Sequence, residues 1–410
     1  MSSILSAAAA TVAGFAARPD FWTLVSIPPV AALVTWIHVW MAMLLLFWPI
    51  EFMGVPPWLG WQGVVPRKAR KMAGIVVENS LAKLGSVKEF FTEMDPHKIA
   101  LHAAAAFSSR VEEFTDAVMQ EQSPVLWANL PLAIKRRVYA HVQQQIPNVM
   151  EALLMRLHQH IDELVDIDAL IVKLLTEDKS LLVRIFKEVG SEEIRFVVRI
   201  SFWIGLFFGG VQMVLWYFFP WQWGLPLYAA VLGVATNWVA LNMVFRPLEP
   251  VRIGPWRLQG LFLKRQPQVV ARYANLTTTE VITVGNISRE IFTGSKADRG
   301  EALIRQSIWP LVDSVVIRIA MGPSGYERLQ RAMAPRIAGW LVTSLAERSF
   351  NVARGRDLEG ILATRMRALP PAEFQALLRP AFQEDEVVFL VLGAVTGLLA
   401  GGVQMLLGVH

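Results

Sequence analysis

The chain contains no cysteine in its 410 residues. That excludes disulfide frameworks, thiol nucleophiles and Cys-ligated zinc or iron–sulfur sites, although it identifies no compartment. Charge is also scarce, at 18% of residues, where soluble chains carry about a quarter. There is no His-Glu-x-x-His pair, no Walker loop, no Gly-x-Ser-x-Gly and no paired aspartate within the apolar runs. His158 and His160 point to different faces of a helix and make a poor metal pair without further ligands. This reading expects no enzymatic activity, no catalytic residue, no metal and no cofactor.

What is plentiful is apolar sequence, 54% of the chain. Four stretches free of Asp, Glu, Lys and Arg are each long enough to cross about 30 Å of hydrocarbon. They are 24–48, 200–219, 225–245 and 387–409. Only Pro220-Trp221-Gln222-Trp223-Gly224 separates the second from the third, which leaves room for a tight turn between antiparallel helices. Aromatic residues such as Trp48, Trp58, Trp216 and Trp223 crowd the ends of these runs, as interfacial belts do. The first 23 residues read as an interfacial or mobile segment. Their apolar part, 4–17, is short, rich in alanine and without the basic start of a signal peptide.

Basic residues orient the spans. Arg67, Lys68, Arg70 and Lys71 follow the first, Arg195 and Arg199 precede the second, and Arg246, Arg252, Arg257, Lys264 and Arg265 follow the third. The turn at 220–224 has none. The segments 49–199 and 246–386 are therefore expected in the cytoplasm, with both termini outside.

The chain also repeats itself. Phe47-Trp48-Pro49-Ile50-Glu51 aligns with Phe245-Arg246-Pro247-Leu248-Glu249. Further along, Pro57-Trp58 meets Pro255-Trp256, Gln62-Gly63 meets Gln259-Gly260, and Arg67-Lys68 meets Lys264-Arg265. At the other end, Gly209-Gly210-Val211-Gln212-Met213 recurs as Gly401-Gly402-Val403-Gln404-Met405. Two ordered sets of anchors predict an all-α integral membrane protein with four transmembrane helices in two tandem parallel repeats. Each repeat encloses a long helical cytoplasmic segment.

Those segments show helical spacing. Met150, Leu153, Leu157, Ile161 and Leu164 approach a heptad, and Ile337, Leu341 and Leu345 repeat the pattern. Asp95-Pro96 and Ser123-Pro124 each place a capping residue before a proline suited to the first turn. No strand alternation is evident. The segments are expected to be elongated helical hairpins continuous with the spans, their apolar faces buried on one another or offered to lipid or a protein partner.

The run from Gly233 to Pro247, with Thr236-Asn237, Ala240, Met243, Phe245 and Pro247, resembles the bacterial membrane family called domain of unknown function 445. The likeness continues through Gly254-Pro255, Gln259-Gly260 and Lys264-Arg265 to the Gly-rich, Gln-containing stretch 393–407. The resemblance covers most of the chain. It implies a multi-pass protein of the bacterial inner membrane with long helical segments, and it implies no activity. The first repeat departs from the pattern, with His38-Val39 where the second has Thr236-Asn237.

Polar side chains inside spans cost free energy, and so mark candidate sites. Here they are His38, Gln212, Thr236, Asn237, Asn242 and Gln404, together with Thr35 and Thr396. The structural reading is helix–helix hydrogen bonding of about 1 kcal/mol per pair, aided by the small-xxx-small spacing of Gly205, Gly209, Gly393, Gly397 and Gly401. The functional reading is a path for a substrate or ion. His38, the one ionisable residue in a span, lacks an intramembrane carboxylate to relay protons with.

A second set lies at the interface: Trp58, Gln62, Arg67, Lys68, Arg70, Lys71, Trp256, Gln259, Lys264 and Arg265. These residues form either a joint between span and cytoplasmic segment or a surface for anionic headgroups. The expected partners are membrane lipids, further copies of the chain in a homo-oligomer, and a protein held through amphipathic helices, with no nucleic acid. The expected function is a non-enzymatic, membrane-anchored scaffold, with a conduit for lipid or another apolar solute as the alternative.

Overall fold

The computed structural model describes residues 21–55, 59–78, 85–219, 221, 223–312, 315–376, 379 and 386–406. Most of the expected N-terminal segment, and Trp58, lie outside them. The fold is all-α in class and 84% helical. It divides into two compact units, one built from 1–75, 178–269 and 369–410, the other from 76–177 and 270–368.

The first unit contains the apolar helices. Helix α1 (Phe21–Phe47), α2 (Ser191–Phe218) and α3 (Gly224–Phe245) are long and apolar enough to cross a membrane. Helix α4 (Glu386–Leu406) carries a shorter apolar stretch, Leu390–Leu406. Helix α1 lies along α2 and α3 along α4. Their outward faces are apolar: Trp36, Ile37, Trp40, Phe207, Val231, Trp238, Val391 and Leu398 are all exposed. Water would penalise such a continuous apolar surface, whereas hydrocarbon solvates it.

Glycines set the spacing of each pair. A Cβ at Gly209 would lie 2.7 Å from Pro28 Cα, and one at Gly205 2.8 Å from Thr35 Cβ. Between α3 and α4, a Cβ at Gly233 would sit 2.2 Å from the carbonyl oxygen of Gly393. A Cβ at Gly401 would sit 2.5 Å from Pro226 Cα. Backbones this close gain dispersion contacts that replace the absent hydrophobic drive between helices in lipid.

Where α1 and α3 end, the chain turns in the same manner twice. Pro49 and Pro247 cannot continue a helix. After α1, strands β1 (Met53–Val55) and β2 (Leu59–Trp61) pair antiparallel, Met53 opposite Trp61. After α3, β3 (Val251–Ile253) and β4 (Trp256–Leu258) do likewise, Val251 opposite Leu258. These hairpins correct the expectation of segments without strands. Three-residue strands are too short to show alternation, and proline already excludes a helix there. Gly254, at φ +61°, occupies the left-handed conformation that the second hairpin turn needs.

Both hairpins then close on the helix they left. The Gly63 N–H donates to Pro49 O at 2.8 Å and the Gly260 N–H to Pro247 O at 3.0 Å. A Cβ at Gly63 would meet Phe47 C at 2.8 Å, and one at Gly260 would meet Phe245 C at 2.7 Å. The long helices therefore break at these joints. Helix α2, by contrast, runs unbroken from a charged start at Glu192 and Glu193 into its apolar stretch.

The second unit draws helices from both segments. The 33-residue helix Leu132–Leu164 buries Met150, Leu153, Leu157, Ile161 and Leu164, the heptad stripe. It packs on Pro96–Ser108 from its own segment and on Ala297–Ser307 from the other. Helix Val315–Leu345 buries Ile337, Leu341 and Leu345 against Val284–Thr293 and Ala297–Ser307. Asp95 caps its helix by accepting from the Lys98 N–H at 3.3 Å, whereas Ser123 makes no side-chain cap. Polar pairs join the segments inside this unit: Arg365 with Glu89 at 2.8 Å, Lys173 with Glu290 at 3.6 Å, and Arg336 with Glu121. The hydrogen bond from the Arg365 guanidinium, with that of the Ser86 N–H and the charge of Arg365, holds the exposed Glu89 carboxyl below the usual carboxylate range.

Candidate functional site

The positions at which the two entry helices differ meet at the centre of the first unit. Asn237 Nδ2 lies 3.1 Å from His38 Nε2, across α1 and α3. On the other side of the ring, Thr396 Oγ1 of α4 lies 2.5 Å from His38 Nδ1. The Thr396 hydroxyl has one proton, and Leu392 O, 2.8 Å away, takes it as the i−4 carbonyl. Thr396 must then accept from His38 Nδ1–H, which leaves Nε2 to accept from the Asn237 amide. The bonds thus describe a neutral imidazole with both nitrogens satisfied.

The remaining polar groups gather around this triad. Thr236 is buried, and its hydroxyl donates to Leu232 O at 2.8 Å within its own helix. Gln212 Nε2 donates to Leu225 O at 3.4 Å, tying α2 to the first turn of α3. Gln404, 6% exposed, makes no side-chain hydrogen bond among the described residues. Together with His38, Asn237 and Thr35, these side chains line a cavity of about 40 Å³. That volume holds a few waters. Near Gln212, Leu24, Ile27, Trp216 and Leu225 form a buried apolar cluster.

No carboxylate, lysine or arginine is among the lining residues. The chemistry available is hydrogen bonding by neutral groups, with one imidazole and two threonine hydroxyls already committed to partners. Proton transfer through His38 would need a second titratable group that this lining does not supply. Asn242 stands apart: its amide returns to Trp238 O at 2.8 Å, and its side chain lines a different pocket at the end of α3. The Thr396 contact to His38 spans 358 residues of sequence. The hydroxyl is evident within the apolar run 387–409, but nothing local in sequence points to its partner.

The interface candidates divide by role. Gln62 Nε2 donates to Ile50 O at 2.7 Å, and Gln259 Nε2 to Leu248 O at 3.3 Å, so both glutamines brace a hairpin. Trp61 Nε1 donates to Leu45 O at 3.3 Å while the Arg67 guanidinium lies 5.8 Å from the Trp61 ring centroid. Arg70, Lys71 and Lys264 are exposed, and Lys68 is half-buried. Arg265 is engaged by protein carboxylates, Glu192 at 3.0 Å and the buried Glu193 at 3.3 Å. Trp256 is placed in β4 by its backbone pairing with Ile253.

With this geometry in hand, comparison finds partial likeness to curated bacterial proteins. A UPF0754 membrane protein of Shouchella clausii (strain KSM-K16) is 32% identical over 87 residues, 20% of this chain and 22% of that protein. A UPF0754 membrane protein of Staphylococcus carnosus (strain TM300) is 32% identical over 85 residues, 20% of this chain and 23% of its own. One from Exiguobacterium sibiricum is 27% identical over 123 residues, covering 28% of this chain and 32% of the relative. The matches thus span about a fifth to a third of the length of these relatives. No family model matches the chain, and no solved structure does. The relatives do not carry the name domain of unknown function 445, but they are of the same kind, bacterial membrane proteins whose names assign no activity.

Proposed function

We propose that the chain is a non-enzymatic scaffold of the bacterial inner membrane, working as a homo-oligomer. On this reading α1 to α4 are four spans, arranged as two tandem parallel repeats with their helical segments in the cytoplasm. The likeness of the 233–247 run to domain of unknown function 445 belongs to the same reading.

One observation carries it. The four apolar helices meet through glycine approaches to facing backbone, and the space left at their centre is about 40 Å³. A lipid acyl chain needs a far larger passage. The conduit alternative therefore has less support along this axis, and the polar lining by Gln212, Gln404 and His38 does not suit an apolar solute. The repeated joint, with Gly63 and Gly260 closing on the ends of α1 and α3, supports the tandem arrangement.

The test uses the full chain in lipid nanodiscs. Light scattering after size exclusion is expected to give a particle of two or more chains, and liposomes containing the protein are expected to show no accelerated lipid transfer. A monomer that captures no partner, or protein-dependent transfer of lipid, would defeat the scaffold reading. The cysteine-free background also allows topology to be mapped directly. Trp221→Cys should react with an impermeant maleimide applied from outside, and Gln306→Cys should not.

A further inference from the structure

A second pocket of the first unit, about 160 Å³, lies where α3 ends and α4 begins. Its apolar side is made by Trp238 and Leu241, on the part of α3 that faces outward, Trp238 being 54% exposed. Its polar side is made by the charged Arg246, Arg379 and Glu386, with Asn242 beside them. Among the described residues, neither Arg246 nor Glu386 makes a side-chain ion pair. Arg379 is held in place: its Nη1 donates to Gln375 Oε1 at 3.3 Å, and the buried Gln375 donates its amide to Phe245 O at 2.7 Å. This last bond also satisfies a carbonyl at the C-terminus of α3, one of those a helix end leaves without an intrahelical partner.

Two guanidiniums and one carboxylate beside an apolar helix face make a selective combination. A phosphodiester accepts charge-assisted hydrogen bonds from both arginines. A phosphate alone would balance the net charge of these side chains but place no cation against Glu386, and a lone ammonium would place no anion against the arginines. A zwitterion carrying both groups sets an opposite charge beside each of the three, its phosphate shared by the two arginines, and the outward face of α3 beside the pocket suits attached acyl chains. We propose that this pocket binds a glycerophospholipid with a phosphoethanolamine headgroup, its phosphate between Arg246 and Arg379 and its ammonium on Glu386. None of these three residues belongs to the interface set read from the sequence, and Arg379 and Glu386 are more than 130 positions from Arg246.

Native mass spectrometry of the full chain, extracted from nanodiscs of equal parts phosphatidylethanolamine, phosphatidylglycerol and phosphatidylcholine, tests the assignment. Phosphatidylethanolamine should be retained about fivefold over phosphatidylglycerol, the gain expected of one added interfacial charge contact, and also over phosphatidylcholine, whose quaternary ammonium has no N–H to donate to the Glu386 carboxylate. Arg246→Gln and Arg379→Gln should each lower retention of all three lipids by a similar factor. Glu386→Gln should behave differently, abolishing the preference for phosphatidylethanolamine over phosphatidylglycerol while leaving phosphatidylglycerol bound. That change of selectivity is one that misfolding would not produce. Equal retention of the three lipids by the unaltered chain would overturn the proposal. So would full displacement by soluble glycerophosphoethanolamine at the same concentration, since the ligand would then be a free solute. An unchanged preference in Glu386→Gln would overturn it as well.

Discussion

His38 and Asn237, which occupy neighbouring positions of the two repeats read from the sequence, are hydrogen-bonded to each other at 3.1 Å across α1 and α3. The sequence sets His38-Val39 against Thr236-Asn237 as a difference between copies, at which any function beyond scaffolding is expected to show as unequal sensitivity to substitution. The contact changes that expectation, because each residue is the other's partner. His38→Leu and Asn237→Leu should destabilise the full chain by comparable amounts, and the double substitution by less than their sum. A coupling of about 0.6 to 1.7 kcal/mol is expected, as for hydrogen bonds between helices in lipid. Unfolding by steric trapping in bicelles gives the four corners of the cycle. Strict additivity would mean that the bond contributes nothing.

The two Gly-Gly pairs contain their own controls. Gly209 and Gly401 press on facing helices, while a Cβ on Gly210 or Gly402 would meet nothing within 4 Å. Gly209→Ala and Gly401→Ala should each separate a helix pair and cost about 1–3 kcal/mol, as overpacking does. Gly210→Ala and Gly402→Ala should stay within about 0.5 kcal/mol of the parent, since an added methyl costs no space and stiffens the helix. Thermal stability of the four variants in one detergent decides the matter. Equal losses at all four positions would contradict the packing described.

Arg265 offers a test of joint against headgroup surface. It reads in sequence as one of a row of interface cations, yet it sits between Glu192 and Glu193, the latter 4% exposed. Removing one partner of a buried pair typically costs about 3–5 kcal/mol, and the residual exposure of Arg265 brings the expectation to about 2–3. Arg265→Gln should therefore lower stability sharply without altering the affinity of the protein for anionic lipid. Adding Glu193→Gln should restore part of the loss. If Arg265→Gln instead weakens vesicle binding at unchanged stability, the cation serves the headgroups.

What could be read in advance follows from how local the signal is. The apolar helices are legible because charge is absent over a whole span, and the stripe from Met150 to Leu164 because each turn repeats it. The glycines at 205, 209, 393, 397 and 401 announce close approach by spacing alone, and the structure supplies the facing atoms. Thr396 on His38, Glu193 on Arg265 and Gln375 on Phe245 O join residues 72 to 358 positions apart. No periodicity encodes such pairs. The hairpins escaped for the opposite reason, being too brief for a period to form.

In the second unit, Asp116 collects two donors on one oxygen, Trp127 Nε1 at 3.0 Å and the Tyr139 hydroxyl. Burial of the phenol, its bond to Asp116 and the negative charges of Asp116 and Glu112 push the Tyr139 proton affinity above the usual tyrosine range. A raised folded-state value means that the contribution to stability is complete below the ordinary phenol pKa of about 10. It is lost as pH rises beyond that, because the unfolded chain releases the proton first. Tyr139→Phe should cost about 1–2 kcal/mol near neutrality, through the donor lost by Asp116, and should flatten the alkaline fall in stability. The difference in tyrosinate absorbance between parent and variant isolates this one phenol among the five in the chain. Its midpoint should lie well above pH 10. A midpoint at the ordinary value would show that the Asp116 contact does not persist in solution.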